Sequence, residues 1–457
     1  MKKLISILMV LVLLMTAGCS EEKAEDTSSA PGTETTDTAA DNSDMTQKEQ
    51  EASAETEETG EISVYFIKGM GASALMTAVK DQLPEDISLD IHEFADETSL
   101  KQEIDASGMP DLLLLEEGMY RDALDPYTLI ADGQALPLSE YIESEKMAGT
   151  LKEEDYFKGV FTVGEVKDDI YYLPLSMKTY FGITSKAKYE DSPLASLDES
   201  YTLEELLDSL LLDKDQHDDG YMLTYPRMIV APDETVLFME IMQETGVIRL
   251  DPTSGETLVT NEEALEKIKA YCEVVQNDII ISRDIKNSDR FDTFYENYLM
   301  VTPNLNLAHQ TRYWQSAMTE LLQEEEKLLF FPSCNANDTY GATANIVGMI
   351  GASSDAKSAA YRVLRRMMDI PETTWIGITI GDTPNILGPV SRKSFEAQLQ
   401  ALTDDYGAKY KLNVQTFTRL SLDETQKETL SKWAEKVVIK PILSMSMVEF
   451  VAKLIEK

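Results

Sequence analysis

An alternation of strand-like and helix-like segments between residues 62 and 115 constrains the fold of this chain more than any other feature. The strand-like segments are Ile62–Ile67, Ile87–Phe94 and the apolar run Asp111–Leu115, and the helical stretches are Ala72–Leu83 and Ser99–Ala106. A short apolar run between turn residues is typical of a buried parallel strand. The order strand, helix, strand, helix, strand predicts an α/β protein with a parallel sheet and right-handed crossovers.

The rest of the chain continues as mixed α/β. Val166–Pro174 is predicted to be a hairpin that turns at Asp168-Asp169. Further strands are predicted at Tyr180–Thr184, Leu299–Thr302 and Leu328–Phe331, and further helices at Leu203–Leu212, Glu262–Val275, Asp355–Met368, Ser394–Leu402, Asp423–Val437 and Ser446–Ile455. At 457 residues, the chain is long enough for two or three domains.

The N-terminus has the pattern of a bacterial lipoprotein signal. Lys2 and Lys3 precede the apolar run Leu4–Met15, which is shorter than the about 20 residues that a membrane-spanning helix needs. Thr16-Ala17-Gly18-Cys19 resembles the lipoprotein cleavage box. We therefore expect residues 1–18 to be a signal peptide and Cys19 to carry acyl chains, such as palmitate, that anchor the protein.

Residues 19–60 are predicted to form the lipid anchor and a disordered acidic tether. Residues 20–61 contain fourteen Asp and Glu, two Lys and no aromatic residue, so this segment cannot bury enough apolar surface to fold. The whole chain has a formal net charge of −42. This charge argues against nucleic acid as a partner and against membrane contact by any route except the lipid anchor.

Catalytic and metal-binding motifs are missing from the sequence. His92, His217 and His309 are scattered, no H-E-x-x-H or EF-hand loop occurs, and no G-x-S-x-G elbow is present. We expect no enzyme activity, no metal and no cofactor. The three cysteines are not a disulfide framework, and Cys272 and Cys334 are either two thiols or one bond.

One glycine motif has two interpretations. Gly69-Met70-Gly71-Ala72-Ser73-Ala74 has the G-x-G-x-x-A form of a dinucleotide fingerprint, and Glu93 lies where a ribose-binding acid would sit. Because an exported protein meets little NAD, we favour a tight turn that brings backbone amides close to another ligand.

Tyrosine is abundant, with 20 Tyr against 3 Trp. Nine aromatic residues lie in segments that are predicted to be loops or strand ends: Tyr120, Tyr171, Tyr172, Tyr180, Tyr221, Tyr225, Tyr313, Trp314 and Tyr340. Rings with a polar tip suit a cleft that stacks on a ligand and forms hydrogen bonds with it, but for any single Tyr we favour ordinary core and boundary packing.

Several motifs between Ile62 and Leu402 resemble, in the same order, those of the family 1 extracellular solute-binding proteins of ABC importers, especially clostridial lipoproteins. The motifs are Pro110–Leu115, Ala131–Leu138, Asp169–Pro174, Tyr201–Leu206, Phe331–Ser333 with Thr339–Ile350, and Pro389–Phe395. The resemblance implies a two-lobed periplasmic-binding-protein-like fold of type II, with a ligand cleft between lobes that a hinge joins. It implies a first lobe of 61–175 plus 333–387 and a second of 176–332 plus 388–457.

The resemblance also implies a ligand site and a function. The expected ligand contacts are Lys68, Met70, Glu117, Tyr120, Met177, Lys178, Tyr180, Tyr225, Asn304, Asn306, Trp314, Tyr340 and Asn345. The expected function is capture of a small polar solute, a sugar or oligosaccharide, by a monomer on the outer face of a Gram-positive cell membrane, and its delivery to an ABC permease. The alternatives are an anchored surface hydrolase of the glycosidase type and a solute receptor that feeds a sensor kinase.

Overall fold

A single extended sheet runs through the described part of the protein, which is represented by a computed structural model. The structure describes residues 60–68, 71–116, 124–197, 201–216, 222–224, 242, 246–250, 257–271, 273, 298–303, 326–330, 339–369, 379–380, 383–384, 388–403 and 424–441. The strands are β1 Gly60–Ile67, β2 Ile87–Phe94, β3 Leu112–Glu116, β4 Glu165–Val166, β5 Asp169–Ile170, β6 Tyr172–Ser185, β7 Met222–Thr224, β8 Ile248–Leu250, β9 Thr257–Val259, β10 Tyr298–Pro303, β11 Glu326–Phe330, β12 Tyr340–Ile350, β13 Thr379–Ile380, β14 Thr383–Pro384, β15 Gly388–Pro389 and β16 Val437–Lys440.

The extended sheet has the strand order β2-β1-β3-β12-β6-β10-β7. Strands β1, β2 and β3 are parallel, as the sequence predicts, and β12 is antiparallel to both β3 and β6. Strands β11 and β15 also pair with β6, and β16 pairs with β12. We call the edge where β1, β2 and β3 end the carboxyl edge, and the edge where they begin the amino edge.

The helices of the described residues have the following bounds. They are α1 Gly71–Val79, α2 Glu97–Ser107, α3 Pro126–Ala131, α4 Ser139–Ala148, α5 Lys186–Asp191, α6 Leu203–Gln216, α7 Lys357–Met368, α8 Arg392–Thr403 and α9 Glu424–Lys436, and residues 262–271 are also helical. Asp96 and Ser99 form a reciprocal capping box, so α2 begins at Glu97, two residues before the predicted start. No helix of the described residues is long and apolar enough to cross a membrane.

The buried side chains form two groups. The first core combines β1, β3, β12 and the first half of β6 with α1, α2, α4 and α7. A second group of buried residues lies outside the first core: Leu194, Leu203, Leu206, Leu207, Leu210, Met242, Val247, Ile248, Ala264, Leu265, Ile268 and Tyr271. These residues lie on α6, on β8, in the helical residues 262–271 and in neighbouring segments, and none of them lies on a strand of the extended sheet.

Strand β6 takes part in both halves of the sheet. Its first half pairs with β12, up to Met177 opposite Ala344. From Tyr180 onward its second half pairs with β10 and β11. A single strand therefore leads from the first core towards the second.

Residues 388–403 and 424–440 contribute to the first core, whereas the predicted lobe boundaries assigned 388–457 to the second lobe. Phe395 and Trp433 are buried in the first core, and β16 pairs in parallel with β12. The edge of the Phe395 ring packs on Phe157, with the ring centroids 5.3 Å apart. The apolar sides of α8 and α9 thus complete the first core.

The hairpin of β4 and β5 turns one residue earlier than predicted. Lys167 and Asp168 occupy the turn, with φ of 53° and 69°, in place of Asp168 and Asp169. Two consecutive residues with positive φ form the tight turn whose twist matches that of the flanking strands.

Candidate functional site

The carboxyl edge is the part of the described structure where a ligand site is expected. Lys68 follows β1, Phe94 ends β2 and Glu116 ends β3. Open α/β sheets bind ligands beyond the carboxyl ends of their parallel strands. Strand β6 leaves the first core at the same edge. Ile346 of β12 lies opposite Glu116 of β3 on one side and opposite Ser176 of β6 on the other, so Ser176 is level with the end of β3.

Lys68 and Glu93 form the exposed part of this edge. The Lys68 Nζ lies 3.6 Å from Glu93 Oε2, and Ser73 Oγ donates to Glu93 Oε1 at 3.3 Å. The Lys68 side chain is 71% exposed. Its ammonium group is therefore free to change partner at little cost, since an exposed ion pair stabilises a protein by well under about 1 kcal/mol.

Glu116 forms the buried part of the edge. It is 8% exposed, and its Oε2 accepts a hydrogen bond from the Ala72 amide at 3.3 Å, at the N-terminus of α1. A Cβ on Gly71 would lie 3.0 Å from Glu116 Oε1, so glycine gives the carboxylate room to approach the helix. The carboxylate stabilises the positive end of the α1 dipole.

Ser176 and Asn345 join β6 to β12 at this edge. The Ser176 hydroxyl accepts hydrogen bonds from Asn345 Nδ2 at 3.3 Å and from the Ile346 amide at 3.2 Å. Ser176 is fully buried and Asn345 is 6% exposed. Both groups are neutral and are satisfied within the protein, as buried polar groups need to be.

The short strand β15 adds a third backbone at the same place. Gly388 pairs with Met177 and Pro389 with Ser176. A Cβ on Gly388 would lie 2.5 Å from the Met177 carbonyl oxygen, so only glycine allows this approach.

The structure describes some of the predicted ligand contacts. Lys68 lies at the carboxyl edge, whereas Met177 is buried opposite Ala344 of β12, and Asn345 donates to Ser176. Tyr340 begins β12, and its ring centroid lies 6.4 Å from that of Trp433. The backbones of Lys178 and Tyr180 belong to β6.

The remaining predictions lie outside the described residues. They are the contacts Met70, Glu117, Tyr120, Tyr225, Asn304, Asn306 and Trp314, the lipidated Cys19, and the pair Cys272 and Cys334. Within the described ranges, no group of three or more His, Cys, Asp or Glu side chains could hold a metal ion.

Three residues of this edge were not singled out as ligand contacts, although the first belongs to the predicted contact loop Glu116–Tyr120 and the second to the predicted crossing Ser176–Tyr180: Glu116, Ser176 and Gly388. The sequence carried a signal for two of them. Glu116 directly follows the predicted strand of leucines, and Gly388 immediately precedes the Pro389–Phe395 motif. The role of Ser176 depends on a partner 169 residues away, so no local pattern indicates it.

Comparisons with known proteins show the fold. No protein-family model and no curated protein matches the sequence. The sugar-binding protein MalE from the phytopathogen Xanthomonas citri is 14% identical, with 86% of this chain and 90% of that chain covered and a TM-score of 0.54. A family 1 extracellular solute-binding protein from Alicyclobacillus acidocaldarius is 12% identical, with 87% and 92% covered and a TM-score of 0.50.

This chain therefore has the two-lobed α/β fold of periplasmic binding proteins, type II, in which a cleft separates lobes joined by a hinge. The predicted fold class is confirmed. Strand β6 leaves the first core at the carboxyl edge for its ladder with β10.

Proposed function

We propose that this chain is an extracellular solute-binding lipoprotein that captures a small polar solute and delivers it to an ABC importer. The observation that carries the proposal is strand β6, which pairs with β12 in the first core and with β10 and β11 beyond it. The strand thereby connects two lobes at the edge where α/β sheets bind ligands. The names of the matched structures, a sugar-binding protein and a solute-binding protein, favour a sugar or oligosaccharide as the solute.

Capture requires no covalent chemistry, so we propose that the protein is not an enzyme. A solute that contacts both lobes favours the closed arrangement over the open one, and the permease recognises the closed form. The ligand contacts of the first lobe would come from Lys68, Met70, Glu117 and Tyr120, and those of the hinge from Met177, Lys178 and Tyr180. Those of the second lobe and of the return to the first would come from Tyr225, Asn304, Asn306, Trp314, Tyr340 and Asn345.

The lipid anchor is a separate part of the proposal. Acylated Cys19 would hold a monomer at the outer face of the cell membrane, and residues 20–60 would give it a reach of roughly 35 Å. Metabolic labelling with palmitate tests the anchor: the chain should incorporate label, and Cys19→Ala should not. Equal labelling of both would remove Cys19 from the proposal.

A thermal-shift screen tests solute capture. The full chain is held in a detergent without a sugar headgroup and is screened against mono- and oligosaccharides, amino acids, peptides and polyamines. A solute at about 100 times its dissociation constant should add about 2.7 kcal/mol to the free energy of unfolding.

A shift confined to saccharides supports sugar capture, whereas a shift with another class replaces the sugar by that class. Analysis of the saccharide after incubation separates a receptor, which returns it intact, from a surface hydrolase, which returns shorter products. If none of these classes of solute shifts the melting temperature, the result contradicts solute capture.

A further inference from the structure

The first turn of α1 is the part of the glycine motif on which a dinucleotide would depend. Where this motif binds a dinucleotide, the backbone amides at the start of the helix receive the pyrophosphate, and the glycines let it approach closely. The structure describes Gly71, Ala72 and Ser73 of the motif, and α1 begins at Gly71. The contacts of these three residues therefore identify the group that occupies the place of the phosphate.

A carboxylate of the chain itself occupies this place. The Ala72 amide donates to Glu116 Oε2 at 3.3 Å. Both carboxylate oxygens also lie against Gly71, because a Cβ added there would be 3.0 Å from Oε1 and 3.1 Å from Oε2. The same Cβ would be 3.1 Å from Ile346 Cδ1, so little space remains beside the glycine. Gly71 thus admits the Glu116 carboxylate where a dinucleotide site would admit a phosphate.

Glu93 has a similar position at the next residue of α1. Ser73 Oγ donates to Glu93 Oε1 at 3.3 Å, and Lys68 Nζ lies 3.6 Å from Glu93 Oε2. The Ala72 amide and the Ser73 hydroxyl, two donors of the first turn, are therefore both directed to carboxylates of this chain. An anionic solute at this turn would meet two negative charges, and like charges brought together oppose binding.

Burial fixes the charge of Glu116 in place. Glu116 is 8% exposed, whereas the Glu93 side chain is 37% exposed. A buried charge is screened by salt much less than an exposed one. Glu116 also ends β3, where its backbone is paired with Ile346 of β12, so the residue cannot withdraw without breaking the ladder. The negative charge at the start of α1 is thus a permanent feature of the carboxyl edge.

We propose that Glu116 is a specificity-determining residue: its carboxylate fills the anion site at the start of α1 and so excludes acidic and phosphorylated solutes, nucleotides included, from the carboxyl edge. The inference rests on the proposed function and deepens it, because it restricts the captured solute to neutral or cationic ones. The glycine motif consequently serves an internal carboxylate in place of a dinucleotide.

Occupation of the vacated site by an added anion tests the first part of the proposal. Glu116→Ala removes a group of the size of acetate, whereas Glu116→Gln removes the charge and keeps an oxygen for the Ala72 amide. Melting temperatures of the full chain are measured in increasing sodium acetate and in sodium chloride of the same ionic strength. The matched control is Asp96→Ala, because Asp96 is an exposed carboxylate that accepts from the Ser99 amide at 2.8 Å at the N-terminus of α2.

We expect acetate to raise the melting temperature of Glu116→Ala by several degrees more than chloride does, and to do so saturably, because it binds the folded state. The parent, Glu116→Gln and Asp96→Ala should respond equally to the two salts. An equal response to acetate in Glu116→Ala and Asp96→Ala would reduce the effect to that of any helix N-terminus. The absence of an acetate-specific response in folded Glu116→Ala would show that no anion site exists there, and either result overturns the proposal.

Solute selectivity tests the second part. Each neutral solute that stabilises the parent in the screen is titrated beside its anionic counterpart, such as a hexose beside the corresponding uronic acid and sugar phosphate. Because Glu116→Gln removes a like charge, it should raise the ratio of anionic to neutral affinity by at least about tenfold. An unchanged ratio, whatever the absolute affinities, would overturn the role of Glu116 in specificity. This measurement requires only the variant of equal volume to fold.

The two measurements separate this inference from the proposed function. If no solute binds the parent, solute capture fails, and the acetate response still decides whether Glu116 fills an anion site. If the parent binds an acidic or phosphorylated solute more tightly than its neutral counterpart, solute capture stands and exclusion by Glu116 is wrong.

Discussion

The two edges of the first sheet are stabilised in different ways. At the amino edge, Asp111 accepts hydrogen bonds from the Ser63 amide at 2.9 Å and from the hydroxyls of Ser63 and Ser354 at 2.8 and 2.6 Å. The Arg362 guanidinium also donates hydrogen bonds to the Asp86 carboxylate there, from Nη1 at 3.0 Å and from Nη2 at 3.5 Å. At the carboxyl edge the bonds are longer: Glu116 accepts one amide hydrogen bond at 3.3 Å, Glu93 accepts one from Ser73 at 3.3 Å, and Ser176 and Asn345 share a neutral bond of 3.3 Å.

The two sets of hydrogen bonds differ in length and in expected strength. Charge-assisted hydrogen bonds are shorter and about twice as strong as neutral ones, so the amino edge is firmly tied. We therefore expect the amino edge to resist deformation more than the carboxyl edge does.

The largest expected effect is at Asp111. Asp111→Asn removes the charge that three donors face, and we expect the free energy of unfolding to fall by about 3 kcal/mol in a urea titration. Asp105→Asn is the control, because Asp105 is exposed and forms an ion pair with Lys101 one turn away on α2. Equal losses in the two variants would refute the firm amino edge, and solute affinity should be unchanged in both.

The next effect belongs to the carboxyl edge. Gly388→Ala places a Cβ 2.5 Å from the Met177 carbonyl oxygen, and we expect a loss of about 2 kcal/mol because β15 must shift away from β6. Gly60→Ala at the amino edge is the control, since its Cβ would meet only Ala356 at an ordinary 3.6 Å. Solute affinity should change in Gly388→Ala alone, and an unchanged affinity would separate β15 from the site.

The pH dependence of stability should report on the amino edge. Burial alone would raise the pKa of Asp111, but hydrogen bonds from Ser354 and Ser63 outweigh it and lower the pKa. A lowered folded pKa means that this contribution is complete above about pH 4 and is lost as the pH falls through the folded pKa. Urea titrations at stepped pH should show this loss of stability in the parent and a smaller loss in Asp111→Asn. If the variant loses as much stability as the parent, the loss comes from other carboxylates.

The smallest effect on stability is expected at Lys68. Lys68→Ala breaks an exposed ion pair, so the free energy of unfolding should change by about 0.3 kcal/mol, as in the control Lys101→Ala. If Lys68 contacts the solute, its variant alone should weaken solute affinity in calorimetric titrations. Equal affinities for the two variants would remove Lys68 from the site.

Local patterns predicted much of the first lobe. Strand β2 has the predicted bounds Ile87–Phe94, and β1 and β3 differ by one or two residues at their ends. These segments are short apolar or alternating runs bounded by turn residues, so each is specified by its own sequence. The start of α2 was less accurate because the Asp96 cap, rather than the apolar pattern, sets it.

The pairing of β6 around Ser176 could not be predicted from local sequence patterns. Tyr180–Thr184 was predicted to be a strand, but the continuous strand Tyr172–Ser185 depends on pairing with β10, β11, β12 and β15. The bulge opposite Ser176 arises from the fit of two strands far apart in sequence. The position of α8 and α9 on the first core has the same origin, because an apolar helix face does not identify the core that it covers.

The central position of β12 determines the order in which the first lobe can fold. Strand β12 lies between β3 and β6, yet it is synthesised long after both. Until residues 340–350 leave the ribosome, Leu112–Glu116 has an open flank of unpaired amides and carbonyls, which is a template for pairing with other chains. Closing such distant pairings is slow, so the newly made protein should depend on holdase chaperones until its last third arrives.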